Sequence, residues 1–355
     1  MNFESISRTI DRALSAAGLG RANVSARFVR DTIDQAMKAG GLGGPGVLPT
    51  AERRAPVLPE GLDDEAGVFL ERTHTSAHGS RNYRLYVPSG YDGSPRPLLL
   101  MLHGCKQDPE DFAAGTRMNE LAERHGFLVA YPAQTARANG SNCWNWFDRT
   151  QQTREGPEPS LLAGIVDDIG DSHAVDPARV FVAGLSAGAA MALILAAAYP
   201  DVFAGVAAHS GLPVGSAHDV PSAFAAMQAR RAPGAPRPTA IGVPTIVFHG
   251  DADTTVNAMN GAAIISHAVA AFERDSAVLQ RSERVEPSVN GRRCTTTCFA
   301  DGEGRTLVEE WVVHGGTHSW CGGSPEGSYT DATGPDASAE IVRFFLDRGV
   351  GGHAA

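Results

Sequence analysis

A chain of 355 residues, 43% hydrophobic and 20% charged, is long enough for one large α/β domain with an appendage and has the make-up of an ordinary globular enzyme. Its 30 Lys and Arg against 40 Asp and Glu leave a net charge of −10, which argues against nucleic acid or an anionic membrane as the main partner. No run approaches the ~18 apolar residues of a membrane span, and the opening MNFESISRTIDRAL lacks a secretory signal's basic and apolar regions, so a cytoplasmic location is expected, with export by a non-Sec route as the alternative.

Residues 1–39 carry two helical stripes separated by Gly18 and Gly20: Ile6, Ile10 and Leu14, then Val24, Phe28, Val29, Ile33 and Met37. They predict a helical N-terminal arm that docks on the main domain or pairs two copies as a homodimer. Adsorption to a surface or granule is the second reading, although neither stripe has the basic and aromatic make-up of a membrane-surface helix. Residues 40–62, with GGLGGPGVLP and RRAPVLPEG, read as a Gly/Pro-rich linker, which leaves residues 63–350 for the catalytic domain.

Gly67–Thr73 and Arg81–Pro88 are strand-like and joined by a turn around His78-Gly79-Ser80, an antiparallel edge hairpin. Pro97–His103, PLLLMLH, is a continuous apolar run, as expected for a central strand covered on both faces, and it leads into His103-Gly104-Cys105-Lys106. Asp108 or Asp111 caps a helix running to about His125 and stopped by Gly126. Phe127–Tyr131 is the next strand, and Ala133–Pro159 a long polar connection carrying Cys143-Trp144-Asn145-Trp146-Phe147; connections of this length are more often functional than idle.

Ser160–His173 reads as a helix and Asp176-Pro177 as a turn. Arg179–Ala183 is a short buried strand that breaks at Gly184-Leu185-Ser186-Ala187-Gly188 into an Ala/Leu-rich helix ending near Pro200. Gly205–His209 is a strand, Ser222–Arg230 a helix, the stretch to Pro238 a Pro-rich connection, and Val243–His249 a strand. Ala262–Arg274 is a helix, Leu307–His314 a strand, and Ser338–Asp347 the last helix. This alternation predicts an α/β fold, a mostly parallel sheet with helices on both faces.

In such a sheet active groups collect at the carboxyl ends of strands. G-x-S-x-G between strand and helix is a nucleophile elbow: the serine's strained backbone brings strand and helix so close that the residues two away must lack bulk. Ser186 is therefore the candidate nucleophile. Asp251 and Asp253 follow Val243–His249, and His318 follows Leu307–His314; the order Ser, Asp, His is that of α/β-hydrolases. His318, in a Gly-containing loop, is preferred over His314, which falls on the strand. His103 and His249 each end a strand before glycine and read as hydrogen-bonded structural residues. Asp167 and Asp168 read as a cap or a solvated helix face.

A serine hydroxyl is a poor nucleophile at neutral pH, so a histidine must accept its proton while a carboxylate holds the imidazole. The backbone N–H groups of Ala187 and Cys105 are the expected oxyanion donors. Trp144, Asn145, Trp146 and Trp320 are read as substrate-binding, with core packing as the alternative for the tryptophans. Of the five cysteines, Cys294 and Cys298 have no second ligand pair at finger-like spacing, so no metal is expected and no cofactor either; a local disulfide or two thiols fits them.

The pieces LLLMLHGCKQDPEDFAAGTRMNELAERHGFLVAYPAQ, CWNWF, GIVDDI, AVDPARVFVAGLSAGAAMA, FHGDADTTV and GGTHSW, in this order over about residues 80–345, resemble the poly(3-hydroxybutyrate) depolymerase-like esterases. That group lies within the α/β-hydrolases and also includes feruloyl and acetylxylan esterases. The resemblance implies Ser186, Asp253 and His318 as triad, and so Asp253 over Asp251. It also implies oxyanion donors at Cys105 and Ala187, and a Cys105–Cys143 disulfide tying the oxyanion loop to the CWNWF loop. Such a bond fits an oxidising compartment better than the cytoplasm. Cys321 departs from the family pattern, which leaves pairing with Cys294 or Cys298 open. The function implied is a serine carboxylester hydrolase acting on poly(3-hydroxybutyrate) or short hydroxyalkanoate esters. Feruloyl or acetylxylan esterase is the alternative, and a catalytically inactive granule- or polymer-binding protein is the alternative of another class.

Overall fold

The computed structural model describes residues 67–230, 242–275 and 277–346, without the side chains of residues 286–289. The expected helical arm, the linker and most of the Pro-rich connection lie outside the described residues. The chain divides into two units: Gly67–Gln134 with Cys143–Ala355, which holds the sheet, and Met1–Ala66 with Thr135–Asn142. In the latter, the Ala138 and Asn139 amides close a turn on the Thr135 carbonyl, both at 3.0 Å.

Val68–Ser76 (β1) and Gly79–Val87 (β2) form the expected edge hairpin, in register from Val68 opposite Val87 to Ser76 opposite Gly79. The remaining long strands are Arg96–Leu102 (β3), Leu128–Pro132 (β4), Val175–Leu185 (β5), Gly205–His209 (β6), Thr245–Gly250 (β7), Gln280–Val289 (β8), Arg292–Ala300 (β9) and Thr306–Val313 (β10). The ten lie in the order β1-β2-β4-β3-β5-β6-β7-β10-β9-β8. From β4 to β10 neighbours run parallel, and antiparallel strands flank this centre on both sides.

Successive side chains of a strand point to opposite faces, and β3 shows why PLLLML is apolar throughout. Leu98, Leu100 and Leu102 enter a core shared with helices Pro157–Ser172 (α3), Ala187–Ala198 (α4) and Met259–Arg274 (α6). Leu99 and Met101 enter the opposite core, with Pro109–Thr116 (α1), Met118–His125 (α2) and Ala337–Leu346 (α7). All five are essentially inaccessible, and burial of each such side chain stabilises the fold by about 1.5–3 kcal/mol. A short helix, Val220–Met227 (α5), carries an Asp219–Ser222 capping box. Two short strands, Trp320–Cys321 (β11) and Thr330–Asp331 (β12), pair apart from the main sheet. Among the described residues no helix is long and apolar enough to cross a membrane.

The structure corrects the expectations at five places. The helix expected to run from its Asp108 cap to His125 breaks at Arg117, which adopts a left-handed conformation (φ 52°). Tertiary contacts explain the break: the Ser338 hydroxyl captures the Thr116 carbonyl at 2.6 Å, and Arg117 donates to the Gly322 carbonyl and to Asp336, both at 3.0 Å. Asp176-Pro177 lies inside β5, where the pairing with β3 jumps from Arg96–Val175 to Leu98–Val180. Asp168, read as a cap or solvated group, bonds to His74 Nδ1 at 2.7 Å and ties α3 to the edge hairpin.

The hairpin β8–β9 has no counterpart among the expected elements, because the polar sequence QRSERVEPSV at the sheet edge carries no apolar alternation. Cys294 and Cys298 stand four residues apart on β9, about 13 Å at strand rise, which rules out the local disulfide. With Cys321 they remain thiols.

Candidate active site

Ser186 joins β5 to α4 with φ 57° and ψ −117°, a backbone conformation that costs an L-residue on the order of 1–3 kcal/mol. The fold around it explains the flanking glycines. A Cβ on Gly184 would lie 2.4 Å from the Gly188 carbonyl carbon, and a Cβ on Gly188 would lie 2.1 Å from the Leu102 carbonyl oxygen. Any side chain at either position would push strand and helix apart. The Ser186 amide donates to the His209 carbonyl at 2.9 Å, which fixes the turn against β6.

The loops after β7 and β10 bring Asp253 and His318 to this serine. His318 Nε2 lies 2.9 Å from Ser186 Oγ, and its Nδ1 lies 2.7 Å from Asp253 Oδ2. The carboxylate fixes the tautomer: Nδ1–H donates to Asp253, leaving Nε2 to accept from the serine hydroxyl. Asp253 Oδ1 accepts from the amides of Thr255 and Val256, at 2.9 and 2.8 Å. Burial works to raise the pKa of Asp253, but the His249 ring beside it and the hydrogen bonds from His318 and the Val256 amide outweigh it and hold the carboxyl well below the ordinary range. It therefore stays ionised while sealed from solvent.

His249 supports this loop from beneath. Its Nε2–H donates to the Val256 carbonyl at 2.8 Å and stands 3.6 Å from Asp253 Oδ2, while its buried Nδ1 has no hydrogen-bond partner. Gly261 makes room, since a Cβ there would meet that ring at 2.8 Å.

The loop after β3 holds Cys105. Its shape comes from His103 and Gln107, both buried. His103 Nε2 accepts the Gln134 amide at 3.1 Å and its Nδ1–H donates to the Gly104 carbonyl at 2.8 Å. Burial pushes the His103 pKa down and keeps the ring neutral for these two roles. Gln107 accepts the Gly104 amide at 2.9 Å and donates to the Ser328 carbonyl at 3.0 Å. Ala187 opens α4, where first-turn amides have no acceptor within the helix.

A disulfide joins Cys105 to Cys143 and ties this loop to the CWNWF segment. The segment is anchored on a buried carboxylate: Glu158 accepts from the Asn145 amide (2.8 Å), the Asn145 side chain (2.6 Å) and Gln134 (2.6 Å). Arg81 donates to Gln134 from the other side.

The residues expected to touch substrate take structural places. Trp144 and Trp320 are fully buried, with their indole N–H groups committed to the His103 carbonyl and to Ser338, each at 3.0 Å. Trp146 is buried against Phe147, and the Asn145 side chain is held by Glu158. The expected aromatic wall is thus the packing that shapes the site from behind. Asp251 and His314, the rivals of Asp253 and His318, pair with one another at 2.8 Å on the sheet flank, and His314 Nε2 meets Thr295 Oγ1 at 2.9 Å.

Gln107, Gln134 and Glu158 are absent from the sequence reading. The signal for them is weak: polar residues two to four positions past a strand end, or a glutamate in a helix's first turn, are common and do not announce burial. A hydroxyl, an imidazole and a fixed carboxylate in series, beside two anchored loops, are the parts that general-base activation of an oxygen nucleophile requires.

The family model for esterase PHB depolymerases matches residues 81–273. Poly(3-hydroxyalkanoate) depolymerase C of Paucimonas lemoignei is 42% identical over 142 residues, 40% of this chain and 34% of that protein. Poly(3-hydroxybutyrate) depolymerase of Ralstonia pickettii is 28% identical over 270 residues, 70% of this chain and 54% of that one. The chain thus spans about a third of the first relative and about half of the second. Among solved structures, acetyl xylan esterase from Aspergillus awamori superposes with a TM-score of 0.61 at 20% identity, covering 78% of this chain and 99% of that one, a likeness of fold. With a mostly parallel sheet of α/β-hydrolase type and a family match over more than half of its length, the chain belongs to the esterase PHB depolymerase family.

Proposed function

We propose that the protein is a serine carboxylester hydrolase. Ser186 attacks the ester carbonyl carbon, its hydroxyl proton passes to His318 Nε2, and Asp253 holds the imidazolium that forms. The oxyanion is received by the backbone N–H groups of Cys105 and Ala187. As the tetrahedral intermediate collapses, the C–O bond to the leaving group breaks and His318 returns the proton to the departing alkoxide, leaving an acyl-serine. Water then attacks the acyl carbon, giving its proton to His318; as this second intermediate collapses, the C–Oγ bond breaks, His318 returns the proton to Ser186 Oγ, and the acid departs. No metal or cofactor is required by these steps. The observation that carries the reading is the unbroken series from Ser186 Oγ through His318 to Asp253, at 2.9 and 2.7 Å.

For the substrate, the relatives named as poly(3-hydroxyalkanoate) and poly(3-hydroxybutyrate) depolymerases favour short-chain hydroxyalkanoate esters. The N-terminal arm is read as a dimerisation or docking element of the same enzyme. Turnover of polymer film, hydroxybutyrate oligomers, methyl ferulate and acetylated xylan is the test. Faster hydrolysis of oligomer or film is expected, and a preference for ferulate or acetylxylan would reassign the substrate. Removal of residues 1–45 is expected to turn a dimer into a monomer in sedimentation; an unchanged mass would detach the arm from that role.

A further inference from the structure

One buried residue outside the proposed triad contacts the supports of all three members, with its main-chain carbonyl at Ser186 and its ring at the other two. His209 ends β6, and its carbonyl accepts the Ser186 amide at 2.9 Å. Its ring Nε2 accepts the Cys321 amide at 3.1 Å, three residues beyond His318, with Cys321 Sγ at 3.3 Å. The ring is stacked between Trp320, centroids 5.1 Å apart at 23°, and Phe248 of β7, 5.8 Å apart at 10°. Phe248 in turn receives the Ser210 amide on its carbonyl at 2.9 Å, and its strand leads directly into the Asp253 loop. Core packing alone would need no nitrogen here: a phenyl ring would stack equally well.

We propose that His209 is a positioning residue: its ring nitrogen, on the Cys321 amide, fixes the loop that carries His318 relative to the Ser186 turn, which the main-chain carbonyl of the same residue anchors. The chemistry demands a neutral ring, because Nε2 must offer a lone pair while Nδ1–H faces Ser210 Oγ at 3.2 Å. Burial, then the nearby His249 and His318, push the pKa of His209 down to about 3, so the acceptor persists throughout the neutral range. Without it the Cys321 amide is buried and unsatisfied, and the loop bearing His318 can shift. Misplacement by about 1 Å is enough to cost on the order of 100-fold in rate.

The inference rests on the proposed triad, and three substitutions separate the two. His209→Phe keeps the stacking and loses the acceptor. His209→Gln and His209→Met both lose the ring and have nearly equal volume, but only glutamine restores an acceptor at the ε position. With p-nitrophenyl butyrate, His209→Phe and His209→Met are expected to lower kcat about 10- to 100-fold with KM within about twofold, and His209→Gln to recover most of that loss. Equal kcat for the Gln and Met variants, an unimpaired Phe variant, or loss of the fold in all three would overturn the positioning role and leave His209 as core. Ser186→Ala in the same assay reports on the triad itself: if it retains turnover, the triad reading fails, whatever the His209 variants do.

Discussion

Two hydroxyl–imidazole–carboxylate series stand among the described residues. Ser186–His318–Asp253 sits over the parallel centre of the sheet, and Thr295–His314–Asp251 on the antiparallel flank; their carboxylates are two residues apart in one loop and their histidines four apart in another. The distances barely differ. The surroundings do: the side chains of His318 and Asp253 are 13% and 0% exposed, those of His314 and Asp251 34% and 43%. Ser186 occupies a strained elbow at the start of a helix, whereas Thr295 lies in a regular ladder opposite Val312. A carboxylate shielded from water holds an imidazole far more firmly than one that water competes for. The flank series ties β9 to two loops, and the central one has the burial, strain and helix amides that acyl transfer uses.

The strongest way to break this comparison is to remove each hydroxyl. Ser186→Ala is expected to lower kcat on p-nitrophenyl butyrate about 10⁴- to 10⁶-fold, and Thr295→Ala to leave it within about twofold, as measured by steady-state kinetics on purified protein. The carboxylates should separate next: Asp253→Asn costs about 10⁴-fold through the lost tautomer control, while Asp251→Asn stays within about threefold. A larger loss at Asp251 would move the catalytic role toward the flank.

The oxyanion loop sharpens the picture from a third side. Reducing the Cys105–Cys143 bond, or replacing both cysteines by serine, is expected to loosen the segment that carries Cys105, whose amide is the proposed oxyanion donor. A drop in kcat of up to about 10²-fold is expected, since a lost oxyanion donor costs 10²–10³. The melting curve should register about 2–4 kcal/mol of lost stability, the usual yield of a native disulfide.

Acid acts on stability and leaves the chemistry at neutral pH untouched. The His209 pKa falls from its ordinary value near 6.5 to about 3 on folding, so the unfolded chain binds the proton more readily between those values. The stability from keeping this ring neutral is fully present above about pH 6.5 and is lost as pH falls toward 3, on the order of 4–5 kcal/mol across the window. Urea unfolding at pH 7 and pH 4 should show a slope that His209→Gln flattens; an unchanged slope would assign acid sensitivity elsewhere.

The sequence announced what depends on local geometry. Gly184 and Gly188 around Ser186 are a steric rule written in five residues, and the apolar run of β3 shows a strand covered on both faces. Burial was far harder to read. Asp251 and Asp253 are alike in composition; the family resemblance prefers Asp253, and the amides of Thr255 and Val256 and the depth of the loop supply the physical difference. Trp144 and Trp320 carry large apolar faces that suit a substrate wall or a core equally, and the choice was made by carbonyl and hydroxyl partners distant in sequence. The break at Arg117 depends on Ser338 and Asp336, more than 200 residues away, and the polar hairpin β8–β9 pairs through its backbone with no apolar pattern to betray it.

The central claim is that Ser186, and not a group on the flank, becomes acylated. Incubation with an alkyl fluorophosphonate followed by peptide mass mapping tests it most directly. The expected result is a single adduct on Ser186, formed in step with loss of esterase activity and slowed drastically in His318→Ala. An adduct on Thr295, or full ester turnover with Ser186 unlabelled, would contradict it.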